Sequence, residues 1–239
     1  MGYYYGYANT PMWVWVLLIA AGIFSMVCSS KVKNTFAKYA KMAASSGLTG
    51  AEVAEQILRR GGMYDVRVEH VSGNLTDHFN PATKVVNLSD SVYSSRSVAA
   101  ISVAAHECGH AMQHNEEYFP LKVRSSIVPI ANFGSKAAIP LIIAGCILSA
   151  FDSLITVGIL LFSASVLFQI VTLPVEFDAS RRALITIREM GIINEGAELN
   201  AAKSVLKSAA MTYVAAAAAS IISLIRLIAI YGGRGKRRD

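Results

Sequence analysis

Hydrophobic positions in this chain follow two patterns. In four places they run on almost without polar relief: "WVWVLLIAAGIFSMVCSS" (13–30), "AAIPLIIAGCILSAF" (137–151), "LITVGILLFSASVLFQIVTLPV" (154–175) and an alanine-rich run over 209–230. A helix needs roughly 20 mostly apolar residues to cross a bilayer, and the first and third runs have that length. Trp13 and Trp15 are placed as interfacial anchors for the first. The second is short, with Lys136 at its edge able to snorkel. Only Asp152 and Ser153 separate it from the third, so the two form a helical hairpin. The fourth carries Arg226 near its end, which makes the count three to four transmembrane helices.

Between residues 31 and 127 the pattern changes to that of a folded, water-facing part. "TGAE" (49–52) has the form of a capping box, with Thr49 as N-cap and Glu52 at N3, and predicts a helix to Arg60 that stops at Gly61-Gly62. "DVRVEHV" alternates Val66, Val68 and His70 against Asp65, Arg67 and Glu69, as a half-buried strand does. The stretch "SGNLTDHFNPAT" reads as turns, and "KVVNLS" (84–89) as a second strand. From about Ser94–Ser97 a nearly uncharged helix begins, "VAAISVAAHECGHAMQH".

Composition agrees with membrane embedding. Hydrophobic residues make up 54% of the 239 and charged ones only 16%, against about 25% charged in an ordinary soluble domain. The net charge of +6 comes from basic residues scattered beside apolar runs, with no aromatic-interleaved stripe. Lipid headgroups are therefore the expected partner, and nucleic acid is not. Three cysteines, Cys28, Cys108 and Cys146, are too few and too scattered for a disulfide framework. No basic region precedes the first run and no small-residue cleavage site follows it, so it reads as a retained anchor. Lys31, Lys33, Lys38 and Lys41 follow that run directly. The positive-inside rule then puts the N-terminus outside and residue 31 onward in the cytoplasm. The hairpin returns residue 176 to the same side, where Arg181, Arg182 and Arg188 agree. The basic tail "RGKRRD" would end outside if the fourth run spans, against the rule. These boundaries divide the chain into an anchor (1–30), a cytoplasmic part (31–136), the hairpin (137–175), a second cytoplasmic stretch (176–208) and a C-terminal apolar helix with its tail (209–239).

The chemistry is concentrated in "AAHECGHAMQH" (104–114). On a helix, residues i and i+4 share a face, so His106 and His110 can offer their imidazoles to one zinc ion. Glu107, one position round, can serve as general base toward a water and then as proton donor to a leaving amine. The competing reading is a helix that merely contains two histidines; charged groups on so apolar a helix argue against it, because they cost free energy unless something pairs them. His114 lies on a similar face, yet one straight helix does not easily bring three histidines to one ion. A longer His-Glu-x-x-His-x-x-Gly-x-x-His pattern is excluded by Gln113 and Glu116. The third ligand should therefore be a carboxylate from a second helix. Glu176 in "LPVEFDASRRAL" (173–184) is the leading candidate, since two membrane crossings return it to the side of His106. Glu189, Glu195 and Glu198 compete from a helix end and a solvated turn, and Glu116 and Glu117 from too close to the motif.

These two blocks, with a membrane hairpin between them, resemble the YugP-like bacterial membrane zinc metallopeptidases, themselves distantly similar to the HtpX and CAAX-prenyl-protease class. The resemblance extends from the N-terminal anchor to about residue 190. It implies one zinc ion per chain held by His106, His110 and Glu176, with Glu107 as base, in the manner of a gluzincin. In the broader class an aspartate four residues after the glutamate supports the first histidine. Ser180 stands at that place here, with Asp178 nearby, so these two are candidates to support the zinc ligands.

The expected molecule is a mainly α integral membrane protein, with zincin-like catalytic helices and a small β element. It would be an endopeptidase acting through metal-activated water at the cytoplasmic surface, on polypeptides that include membrane proteins. A catalytically silent zinc-binding scaffold or chaperone-like protein is the alternative, and it would not need Glu107. A transporter would carry ionisable groups at midplane within its spans, and the hairpin has none except Asp152 at its tip. Lesser expectations are a packing role for Cys108 and a close approach at Gly109. "KVVNLS" is either an edge strand open to an extended peptide or half of a core hairpin. Arg181 and Arg182 read as topology-setting charges, and His70 and His78 as structural.

Overall fold

The computed structural model describes residues 11–148 and 152–231. The tail "RGKRRD" therefore lies outside the described residues. Six helices and three strands make up the described chain: α1 (Met12–Tyr39), α2 (Gly50–Arg60), β1 (Arg67–Val71), β2 (His78–Asn80), β3 (Val85–Ser89), α3 (Val98–Asn115), α4 (Phe119–Ile147), α5 (Asp152–Glu189) and α6 (Ala197–Tyr231). Four of these helices, α1, α4, α5 and α6, are long and apolar enough to cross a membrane. The protein is a mainly α membrane protein with a small sheet. Its described residues separate into two compact units, one formed by 11–27, 122–148, 152–173 and 213–231, the other by 28–121 and 174–212.

The first unit contains the apolar lengths of α1, α4, α5 and α6. Its apolar surface is turned outward: Ile19 is 63% and Leu160 64% exposed, as suits side chains solvated by lipid. With lipid outside there is little hydrophobic force between helices, so close van der Waals packing must hold them together. Small residues supply it. A Cβ on Gly134 would stand 2.5 Å from the carbonyl oxygen of Leu161, and one on Gly158 2.8 Å from that of Ala138. Ser165 Oγ donates to the Ala131 carbonyl at 3.1 Å across the same α4–α5 seam. The Arg226 guanidinium lies over the Trp15 ring, 4.5 Å from its centroid, an attraction strengthened away from water.

The second unit holds the sheet, α2, α3, the end of α5 and the start of α6. The expected capping box is present: Thr49 Oγ1 accepts from the Glu52 amide, and Glu52 Oε2 accepts from the Thr49 amide at 2.7 Å. The amphipathic face of α2 buries Val53, Ile57 and Leu58 against Val86, Leu88, Ile101 and Ala104. That core also takes Ala183 and Ile187 from α5 and Leu206 from α6.

The sheet corrects the sequence reading. Its order is β1-β3-β2, with β1 and β3 parallel and β2 antiparallel to β3. "KVVNLS" is therefore the central strand and not an edge open to a peptide; it is half of a hairpin, whose other half is β2, with Asn80 opposite Val85 and Phe79 opposite Val86. The burial of Val85, Val86, Leu88 and Ser89 follows from that position. The edge strand β2 comes from the stretch read as turns. Three residues next to Pro81 give no alternation to read, and only pairing with β3 makes "HFN" a strand. His70 is exposed, with Nε2 2.6 Å from Asp90 Oδ1, and His78 Nδ1 lies 2.9 Å from the Thr76 carbonyl. Both keep structural roles.

Candidate metal centre

α3 is capped by Ser97, whose Oγ accepts from the Ala100 amide at 3.2 Å. From there the helix runs through the core of the second unit, burying residues on several faces rather than one stripe. His106 and His110 project from one side of it, ring centroids 4.8 Å apart. Glu176 comes from α5, which is a single unbroken helix through Pro174. The glutamate thus sits in mid-helix, not at the start of a new one.

The ligand atoms of His106, His110 and Glu176 all lie within 4.8 Å of one another. Glu176 Oε2 is 3.3 Å from His106 Nε2 and 3.6 Å from His110 Nε2. Two ligands each about 2.1 Å from a tetrahedral ion stand about 3.4 Å apart, so these spacings match the edges of such a site. The imidazoles are about 15% and 14% exposed and the carboxylate 3%. Two neutral imidazoles and one carboxylate are the donor set that suits zinc and leaves its fourth position open. The residues fit the ion.

What holds the histidines also fixes which ring nitrogen each turns to the site. Gln113 is fully buried, and its Nε2 donates to the Val175 carbonyl at 2.8 Å and to Asp178 Oδ2 at 3.0 Å. Both partners are acceptors, so the amide orientation follows, and Oε1 is the atom 3.1 Å from His110 Nδ1. That nitrogen carries the hydrogen, so Nε2, on the Glu176 side, is the atom turned toward the site. Ser180 Oγ stands 3.2 Å from His106 Nδ1 and supports that ring in the same way. Asp178 is in turn gripped by Arg181 and Arg182, and Arg182 reaches on to Glu116 at 2.7 Å. Thus Ser180 meets the first histidine directly, whereas Asp178 reaches the second through Gln113. The sequence reading used Gln113 only to exclude a longer motif. Its one legible signal was position, three residues beyond His110 on the same helix. Removing this link should show: Gln113→Leu is expected to weaken zinc binding by roughly 10–100-fold, read by competition with a calibrated chelator. An unchanged affinity would mean that the histidine needs no such brace.

Glu107 is 8% exposed, and its Oε2 accepts the backbone N–H of Phe79 in β2 at 3.0 Å. The strand missed in the sequence is therefore the one that meets this carboxylate. Asp77 anchors the approach to β2, accepting from the Ser89 amide at 2.7 Å and the Ser89 hydroxyl at 2.9 Å; burial nonetheless holds its carboxyl above the usual range. Cys108 faces away, with Sγ 3.7 Å from the Ala54 carbonyl, and burial pushes its thiol far up. It packs and does not react. At Gly109 a Cβ would stand 2.6 Å from the carbonyl oxygen of Ala179, so α3 and α5 touch backbone to backbone here. Two of the competing carboxylates have other partners: Glu195 pairs with Arg188, and Glu198 accepts from Ser45 and from the Asn194 amide. His114 lies exposed, its ring 5.8 Å from that of Phe79.

The profile of a family described as "Putative neutral zinc metallopeptidase" matches residues 14–232. The chain belongs to that family. Membership covers nearly the whole length, from the first apolar helix to the end of the last. A relative from Bacillus subtilis (strain 168), described as "Putative membrane protease YugP", is 51% identical over 215 residues, which are 90% of this chain and 95% of that protein. No solved structure matches the chain. The family implies zinc, and the His106–His110–Glu176 cluster is where this metallopeptidase relative has the donors to hold it.

Proposed function

We propose that this protein is a zinc-dependent endopeptidase, with His106, His110 and Glu176 as metal ligands and Glu107 as general base. The observation that carries the proposal is the convergence of those three ligand atoms within 4.8 Å, drawn from two helices, beside a carboxylate one residue from the first histidine. A zinc ion bound there would polarise the scissile carbonyl and make water a better nucleophile near neutral pH. Glu107 takes the proton from the attacking water and hands it to the departing amine, so the carboxylate is restored at the end of the cycle. The Phe79 N–H holds one of its oxygens and leaves the other to move the proton. Gln113 and Ser180 keep both Nδ1 atoms occupied, so that each histidine acts through Nε2.

Positive charge after the first span, at Lys31, Lys33, Lys38 and Lys41, supports an N-terminus outside and an active site facing the cytoplasm. Four apolar helices in the same chain favour substrates that are membrane proteins or polypeptides held beside the bilayer. A silent zinc-binding scaffold would keep the ligands and have no use for Glu107.

Metal content of the detergent-purified full chain tests the ligand set. About one zinc per chain is expected in the wild type and little in Glu176→Ala. A wild type without zinc would end the peptidase reading. A fully loaded Glu176→Ala would leave the site but remove this third ligand.

A further inference from the structure

Within the second unit, a cavity of about 540 Å³ lies between the last turns of α5 and the first turns of α6. Its walls are mainly apolar, Leu184 and Leu206 among them, with the Ser180 that meets His106 at one side, and two of the large side chains are left open: Phe177 is 47% and Ile185 42% exposed. Four cations border it, Arg181 and Arg188 on α5 and Lys203 and Lys207 on α6, and no acidic residue lines it. The two arginines are engaged, with Asp178 and Glu195 respectively. The two lysines are exposed, one turn apart on one face of α6, and no ion pair joins either to an acid among the described residues. The site thus offers an apolar slot under an unbalanced positive rim.

We propose that this cavity binds an anionic phospholipid, with acyl chain against Phe177, Ile185 and Leu206 and phosphate on Lys203 and Lys207. The chemistry calls for an amphiphile with a negative head. Two features favour a lipid over an acidic peptide. Both walls are helices whose backbone groups are already bonded, so an extended peptide finds no strand edge to pair with. Both helices also carry a candidate membrane span. On α5 the apolar run ends at Val175, less than two turns before Arg181, and on α6 it begins just after Lys207, which is where headgroups meet a spanning helix. The proposal does not depend on peptidase activity.

The test uses the full chain in a neutral detergent, with phosphatidylglycerol and phosphatidylcholine as probes and the retained lipid counted by native mass spectrometry. Phosphatidylglycerol should bind the wild type in preference to phosphatidylcholine. The double variant Lys203→Gln/Lys207→Gln should bind it roughly tenfold more weakly, with zinc content and melting temperature unchanged. Lys33→Gln/Lys38→Gln, which removes two charges elsewhere, should behave as wild type. Equal retention of the two lipids would overturn the proposal. So would unaltered phosphatidylglycerol binding in the α6 variant, or an equal loss in the control pair, which would signal general surface charge. An acidic peptide that binds the wild type in phosphatidylcholine nanodiscs and is lost in the α6 variant, while phosphatidylglycerol binding persists, would reassign the cavity to polypeptide.

Discussion

Glu107→Gln, purified in detergent, is expected to keep its zinc and lose peptidase activity by a factor on the order of 10²–10⁴. The amide has nearly the same size, and its carbonyl oxygen can still accept the Phe79 N–H that holds the carboxylate at 3.0 Å. The contact between α3 and β2 therefore survives, as do the ligands, since Glu107 is not among the three clustered donors. What disappears is the capacity to accept a proton from water. The measurement is kcat/KM on a quenched peptide or casein, with zinc content and melting temperature taken on the same preparation. Activity within tenfold of wild type at full zinc would mean that another group is the base, and the family resemblance would no longer support this assignment.

The second large effect is expected at a residue that touches no substrate. Gly109→Val should lose most of its zinc to dialysis against a mild chelator and destabilise the protein by about 1–3 kcal/mol. A Cβ at this position meets the oxygen of Ala179 at 2.6 Å and its carbonyl carbon and Cα at 3.1 Å. All are backbone atoms, so no rotamer change relieves the clash and the helices must separate. Ala179 is three residues from Glu176, about one turn along α5, so separation draws the carboxylate away from the two imidazoles. A displacement of about 1 Å is enough to cost on the order of 100-fold in a site that depends on geometry. Gly22→Ala is the matched control, because a Cβ there meets nothing within 4 Å. Zinc retention equal in the two variants would show that α3 and α5 tolerate the added bulk.

The same two helices explain what could be read in advance. Four of the six helices were visible as apolar runs, because a lipid environment leaves little room for polar residues and makes the signal long. Their ends were not. α4 begins at Phe119 and α5 continues to Glu189, in stretches where polar residues and prolines interrupt the hydropathy but hydrogen bonding of the helix does not stop. His106 and His110 were legible because a fixed spacing on one helix encodes a shared face. Glu176 required an argument about chain order and sidedness, and its position in mid-helix was not foreseen. Gln113 and Phe79 were missed for a common reason: each acts through a contact between elements distant in sequence, and neither residue type is chemically conspicuous. β2 was missed because three residues beside a proline carry no periodicity, and for want of that neighbour the sequence left β3 open between an edge strand and half of a core hairpin.

The order of the proposed ligands along the chain has a consequence for biogenesis. His106 and His110 leave the ribosome before α4 and the apolar part of α5, whereas Glu176 follows both. A nascent chain ending before that point has two donors and no third, whatever the supply of metal. The complete set exists only after the intervening apolar helices have been made, and these have no stable place except in a bilayer. If His106, His110 and Glu176 hold the zinc as proposed, completion of the centre waits on the apolar helices between them, and a chain that stops short of Glu176 has two of the three proposed donors.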